Sequence, residues 1–300
     1  MIFRFLTFNH CDQGKCILED MTRIIGHQMM ALGHAVGWTN TENFIDRNGY
    51  NVVIESFADN PDTIAKIAEA HARGCRFIYI ATEEPTPNGF NHGLEPAMLE
   101  RQNAFPRAAK FADGILHLIP GEHVTAWYSQ FAPSAYAELG YAPTLVEDDG
   151  AVEPAHDFGF YGKMTWRREQ MLARLEHLSG TQVLKITSLA VPRQERNAMM
   201  RRARVILQIR ANEEWGMVSS TRCNTAIGFG RPIVAEPHPF CKPWDQIIEF
   251  SSSLELFYAD ALVAARGDWR ALHRKQLAKL KETLTPEVCI GRPLREIGIA

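Results

Sequence analysis

Apolar runs and helical stripes alternate along the whole chain. FRFLTF (Phe3–Phe8) reads as a strand, followed by the polar loop NHCDQGKC. An amphipathic helix is expected over Leu18–Gly33, where Ile24, Ile25, Met29 and Leu32 recur at helical spacing. HAVGWT and YNVVIESF read as the second and third strands. Asn60-Pro61 opens a helix to Arg73, with proline at the favoured first position and Gly74 as the stop. RFIYIAT is continuous enough for a strand buried on both faces. The long polar loop EEPTPNGFNHGLEP then leads to a helix over Ala97–Phe111, a strand at GILHLIP and a short helix over Glu122–Phe131.

Residues 143–155, PTLVEDDGAVEPA, interrupt this rhythm with two prolines, a glycine and the acidic cluster Glu147-Asp148-Asp149, and read as a solvated linker. Alternation then resumes with DFGFYG, a helix over Trp166–Leu178, QVLKITS, a basic helix over Arg193–Ala203, VILQI, a helix over Ser220–Phe229 and RPIVAE. Two helices close the chain, Leu254–Ala264 and Trp269–Leu284. Strands alternating with helices predict parallel sheets, so the expected fold is α/β with two doubly wound, Rossmann-like domains facing a cleft. The expected division is 1–146 for the first domain, 147–155 for the linker, 156–266 for the second domain and 267–300 for a C-terminal helix and tail. Neither domain opens with GxGxxG after its first strand, which argues against an NAD or FAD enzyme.

The chain carries a net charge of −3 over 300 residues, and this hides an asymmetry. Residues 1–150 hold 10 Lys/Arg against 19 Asp/Glu, whereas residues 151–300 hold 22 against 16. A basic second half suggests an anionic ligand there; two oppositely charged faces that help the halves dock would give the same count. Basic residues are not interleaved with aromatics, so no nucleic-acid partner is expected. MIFRFLTF reads as a first strand and not as a signal peptide, no apolar run reaches a membrane span, and a cytoplasmic protein is expected. The six cysteines have no CxxC spacing and are expected as free thiols, with no metal site.

In open α/β sheets, ligands bind beyond the carboxyl ends of strands. After the first strand, the loop containing His10 and Gly14 permits close approach of a ligand, and His10 is a candidate general base. A turn whose histidine simply bonds backbone is the competing reading. After the fourth strand, Glu84 is a second candidate base, with Glu83 and His92 in the same loop. In the second half, Gly162-Lys163 closes the first strand and Arg167 and Arg168 stand at the next helix start, where cations oppose the helix dipole unless they face an anion. Lys163 and Arg167 are the candidates for diphosphate, and solvated surface arginine is the competing reading. The segment Val205–Glu236 carries the strongest signal: strand, acidic loop with Arg210, Glu213 and Glu214, then Ser219, Ser220, Thr221 and Arg222 at a helix start. Backbone N–H groups, hydroxyls and a guanidinium at one helix N-terminus make a phosphate cradle. A plain N-cap explains one hydroxyl but not the four residues together.

These stretches resemble GT-B glycosyltransferases, in particular the CgeB-like bacterial branch related to glycosyltransferase family 4. The likeness rests on GKCILEDMTRIIGHQMMALGHAV, ILHLIPGEHVTAWYSQF, FGFYGKMTWRREQMLARL and, most specifically, NEEWGMVSSTRCNTAIGFGRPIVAE. The resemblance implies a nucleotide diphosphate sugar as donor, an acceptor of unknown class, no cofactor and no structural need for a metal. It also implies a last helix that crosses back to the first domain. The family's ribose-binding glutamate falls five positions before Gly230, where this chain has Thr225. Donor contacts are therefore expected from Gly14, Lys163, Arg167, Arg210, Glu213, Glu214, Ser219, Ser220, Thr221, Arg222 and Thr225. A sugar-nucleotide epimerase of this architecture and a catalytically degenerate binding protein remain compatible with the same residues.

Overall fold

The computed structural model describes residues 1–45, 47–55, 60–93, 97–147, 152–188 and 190–299. Its chain separates into two compact units, the first comprising Met1–Lys15, Thr22–Leu139 and Pro286–Ala300, the second Cys16–Met21 and Gly140–Thr285. In the first, β1 (Ile2–Leu6), α1 (Asp12–Ala31), β2 (Ala35–Thr39), β3 (Tyr50–Ile54), α2 (Pro61–Ala72), β4 (Arg76–Ala81), α3 (Ala97–Ala109), β5 (Gly114–His117), α4 (Glu122–Tyr128) and β6 (Ser134–Tyr136) follow in order. All strand pairs are parallel, in the order β2-β1-β3-β4-β5-β6. The apolar runs sit where such a sheet requires them: all of β3 and nearly all of β4 are buried.

The second unit holds β7 (His156–Tyr161), α5 (Trp166–Ser179), β8 (Leu184–Ile186), α6 (Arg193–Met200), β9 (Ala203–Gln208), α7 (Ser220–Gly228), β10 (Ile233–Ala235), α8 (Leu254–Arg266) and α9 (Trp269–Thr283). Its sheet is also parallel, in the order β10-β9-β7-β8. Phe158, Phe160, Leu172, Leu175, Val205, Leu207, Phe257 and Trp269 form its core. Helix α9 is fastened to this sheet by Gln276, whose amide accepts from Ile233 N and donates to Ile233 O, both at 2.8 Å. The short α10 (Arg292–Glu296) belongs to the first unit. There Leu294 and Ile297 are buried, and Ile297 lies so close to Gly114 that a Cβ at 114 would come within 2.7 Å of its Cδ1.

Several elements depart from the periodicity. The basic helix expected to reach Ala203 ends at Met200, since Ala203 already pairs in β9. Helix α1 starts at Asp12 and not at Leu18, because Cys11 Sγ accepts from Gly14 N as an N-cap and Lys15 pairs with Asp12 at 3.0 Å. These first turns are polar, so no apolar stripe announces them. Strand β6 has only three residues, too few for an alternation to register. Asp148 and Asp149 of the acidic cluster lie outside the described residues. Among those residues, no helix is long and apolar enough to cross a membrane.

Candidate functional site

In each sheet one place exists where the strand order reverses, and crevices form there at the strand ends. In the second unit this place lies between β7 and β9, after Tyr161 and Gln208. The chain leaves β7 through Gly162 at φ +134°, a conformation that strongly favours glycine. A Cβ at 162 would lie 2.8 Å from Arg222 Nη2 and 4.0 Å from Arg168 Nη1, so two guanidiniums converge on this turn.

Both guanidiniums are buried, and both have neutral partners. Arg222, on α7, donates from Nε to Tyr161 O at 3.1 Å and from Nη1 to Gln208 Oε1 at 2.5 Å. Arg168, on α5, donates from Nε and Nη2 to Ile209 O and from Nη1 to Lys163 O. The centres of the two groups lie 5.0 and 5.2 Å from the centroid of the same Phe160 ring. Among the described residues, neither has a carboxylate within ion-pair distance. Burial pushes the Arg168 pKa down to about 9, and the neighbouring Arg222 charge adds to the effect. Burial likewise lowers that of Arg222. Glu236 offsets part of this lowering for Arg168 from beyond ion-pair distance, and two like charges held out of water with no closer carboxylate favour an anion beside them.

The start of α7 supplies the rest. Ser219 occupies the N-cap position, yet its hydroxyl makes no capping bond. Ser219, Thr221, Arg222, Gly162 and Ser188 line a pocket of about 240 Å³. The first-turn N–H groups of α7, which a helix leaves without partners inside itself, add their partial positive charge. Ser220 faces away, with its Oγ accepting from Trp244 Nε1 at 2.9 Å. Arg196 also lines the pocket.

Other expected donor residues are placed differently. Arg167 makes a bidentate pair with the fully buried Glu236, Nη1 to Oε1 at 2.8 Å and Nη2 to Oε2 closer still. Arg210 approaches the same carboxylate through its backbone N–H and, at 3.8 Å, its Nε. Its Nη1 donates to Glu213 O. Both arginines therefore serve Glu236, in contrast to the neighbouring Arg168 and Arg222. Lys163, Glu213 and Glu214 are exposed, while Thr225 is 3% exposed on the inner side of α7.

In the first unit, the order reverses between β1 and β3. His10 Nε2 lies 2.8 Å from Ile54 O, to which it donates, and 3.1 Å from Asn9 Nδ2. Gly14 sits in the first turn of α1, where a Cβ would come within 3.3 Å of His10 Cβ. Glu84 lies between two imidazoles, His92 Nε2 at 3.3 Å and His123 Nε2 at 3.2 Å. Asn91 locks the Glu84 backbone, accepting from its N–H at 2.8 Å and donating to its C=O at 2.7 Å. Asn91 and His92 both adopt left-handed φ, 54° and 62°, to hold this arrangement. Glu83, by contrast, is buried against Arg101. Among the described residues, no group of three or more His, Cys, Asp or Glu has the geometry to hold a metal ion.

No family model matches the chain, and no curated protein matches it. Among solved structures, TarM aligns over 95% of this chain with a TM-score of 0.53 at 8% identity. A TarM mutant from S. aureus, in complex with fondaparinux, α-GlcNAc-glycerol and UDP, gives 0.52 at 9% identity over the same share. The fold is GT-B. At this identity the likeness is one of fold alone, and the chain spans 58% of the TarM chain's length. The glycosyltransferase SsfS6 from Streptomyces sp. SF2575, complexed with thymidine diphosphate, aligns over 99% of both chains at 10% identity, with a looser TM-score of 0.45.

Of the residues around this turn, sequence reasoning singled out Arg222, Ser219 and Thr221, placed Arg168 at the helix start without assigning it to the anion, and did not consider Gln208. Arg168 carried a readable signal. It stands four and seven residues before Leu172 and Leu175, on the stripe that α5 buries. Gln208 carried none, since one amide closing an apolar strand reads as its solvent-facing end.

Proposed function

We propose that the protein is a glycosyltransferase that moves a sugar from a nucleotide diphosphate donor to an acceptor, with the diphosphate seated at the Gly162 turn of the second domain. One observation carries this reading: the buried Arg168 and Arg222 guanidiniums converge on that turn with only neutral partners. A diphosphate is the dianion that such a pair, a helix start and two hydroxyls would stabilise, most strongly as charge develops on the leaving group. Arg168 takes the supporting role first expected of Arg167, and Lys163 is exposed beside the turn. This charge complement makes a metal unnecessary for leaving-group departure. On the acceptor side, His10 and Glu84 are the candidate bases. Placement in the CgeB-like branch belongs to the same reading and rests on the motif residues.

Titration calorimetry with UDP, GDP and dTDP tests it. Wild type should bind at least one, and Arg222→Ala should weaken that binding by roughly thirtyfold or more, as removal of a charge-assisted pair costs about 2 kcal/mol or more. Retention of wild-type affinity by Arg222→Ala, or no binding of any nucleotide by wild type, would overturn the assignment. A second reading, a nucleotide-binding protein without transfer, is favoured by the buried threonine at 225, which leaves no carboxylate where the family resemblance places the ribose ligand. Nucleotide release that depends on an added acceptor separates the two.

A further inference from the structure

A buried arginine that serves an anion site needs partners that hold it without cancelling its charge. Gln208 supplies such a hold at the end of β9, where it is 1% exposed. Its oxygen accepts from Arg222 Nη1 at 2.5 Å. With the oxygen so occupied, the amide nitrogen points the other way, 3.2 Å from His238 Nε2. That ring nitrogen must accept, so the ring proton sits on Nδ1, which donates to Glu236 O at 2.8 Å. Each bond fixes the direction of the next, and every acceptor end points back toward Arg222.

The contrast with Arg167 is one of charge. Its partner is the Glu236 carboxylate, one position beyond the end of the neighbouring strand β10. A glutamate at 208 would make the same bond to Arg222 as the glutamine does, and would neutralise it. We propose that Gln208, oriented by His238, is a positioning residue of the diphosphate site that holds the Arg222 guanidinium in place and leaves its charge for the anionic ligand. This rests on the donor-site reading above. The groups facing the His238 ring are Gln208, Glu236, Arg210, Arg222 and the Phe250 ring. Burial holds the His238 pKa down to about 4, so the chain of bonds keeps one form through neutral pH.

The test is calorimetric titration of the full chain with UDP and with inorganic pyrophosphate, alongside thermal melts, for wild type, Gln208→Glu, Gln208→Met and His238→Phe. Gln208→Glu keeps the bond to Arg222 and should bind UDP about tenfold more weakly or worse, since it sets a full counter-charge beside the guanidinium. Gln208→Met, which removes the bond but adds no charge, should lose only about threefold, within the range of one hydrogen bond. A residue that merely holds Arg222 predicts the reverse order, because glutamate keeps the acceptor and methionine does not. Gln208→Glu binding as well as wild type, or better than Gln208→Met, overturns the inference and leaves the donor site standing. No binding of either probe by wild type overturns both. Should Gln208→Glu not fold, His238→Phe decides: it frees the amide to turn and should weaken UDP binding, with a lowered melting temperature from the orphaned Glu236 carbonyl, and unaltered affinity overturns the proposal.

Discussion

Arg167 and Arg168 are adjacent and chemically identical, and the fold gives them opposite work. Arg167 neutralises a fully buried carboxylate, so Arg167→Ala should strand Glu236 without a counterion and destabilise the protein by about 3–5 kcal/mol, read from urea denaturation. Arg168→Ala should do less to stability and more to UDP affinity. Gly162→Ala inverts the balance in another way. Its Cβ would stand 2.8 Å from Arg222 Nη2 at φ +134°, so it should cost about 1–3 kcal/mol in stability and displace the guanidinium from the pocket. A Gly162→Ala variant with wild-type UDP affinity would show that Arg222 does not address this turn. At this scale the sequence was half legible. The residue types of the cradle could be read, but which arginine faces the turn depends on helical phase, and which is neutralised depends on a glutamate 69 positions away.

Elements were more legible than residues because periodicity reports burial directly. The continuous apolar runs became the central strands, and the proline and glycine signals around α2 marked its ends. The start of α1 escaped because a cysteine N-cap and polar first turns leave no apolar stripe. The attachment of α9 also escaped, since a glutamine at a helix interior says nothing of its partner. Strand β10 lies at the sheet edge, and Gln276 satisfies both backbone groups of Ile233 there. Gln276→Leu keeps the volume and orphans that N–H and C=O, so a loss of about 2–4 kcal/mol is expected, as a lower urea midpoint at unchanged slope. A loss below about 0.5 kcal/mol would mean that α9 is held by its apolar face alone.

At the scale of the molecule, each unit buries one neutral histidine. Burial lowers the pKa of both His117 and His238 from 6.5 to about 4. Unfolded chains take up these protons near pH 6.5 and the folded protein only near pH 4, so stability is full above about pH 6.5 and is lost as the pH falls toward 4. The loss should be on the order of 3 kcal/mol per histidine. Melting temperatures measured from pH 7 to 4 should fall across that window, and His117→Gln should flatten part of the fall; a profile that stays level down to pH 4.5 would exclude it.

The path of the chain has a consequence in time. The first unit needs Pro286–Ala300, where Leu294 and Ile297 are buried and Ile297 closes against Gly114. A ribosome delivers those residues only after the whole second unit has emerged. The half that is translated first is therefore completed last, and its sheet must wait, open at one margin, while its neighbour folds. A fragment ending at Leu139 should bind hydrophobic dyes and melt without cooperativity, and a synthetic peptide spanning 286–300 should restore both compactness and a sharp transition.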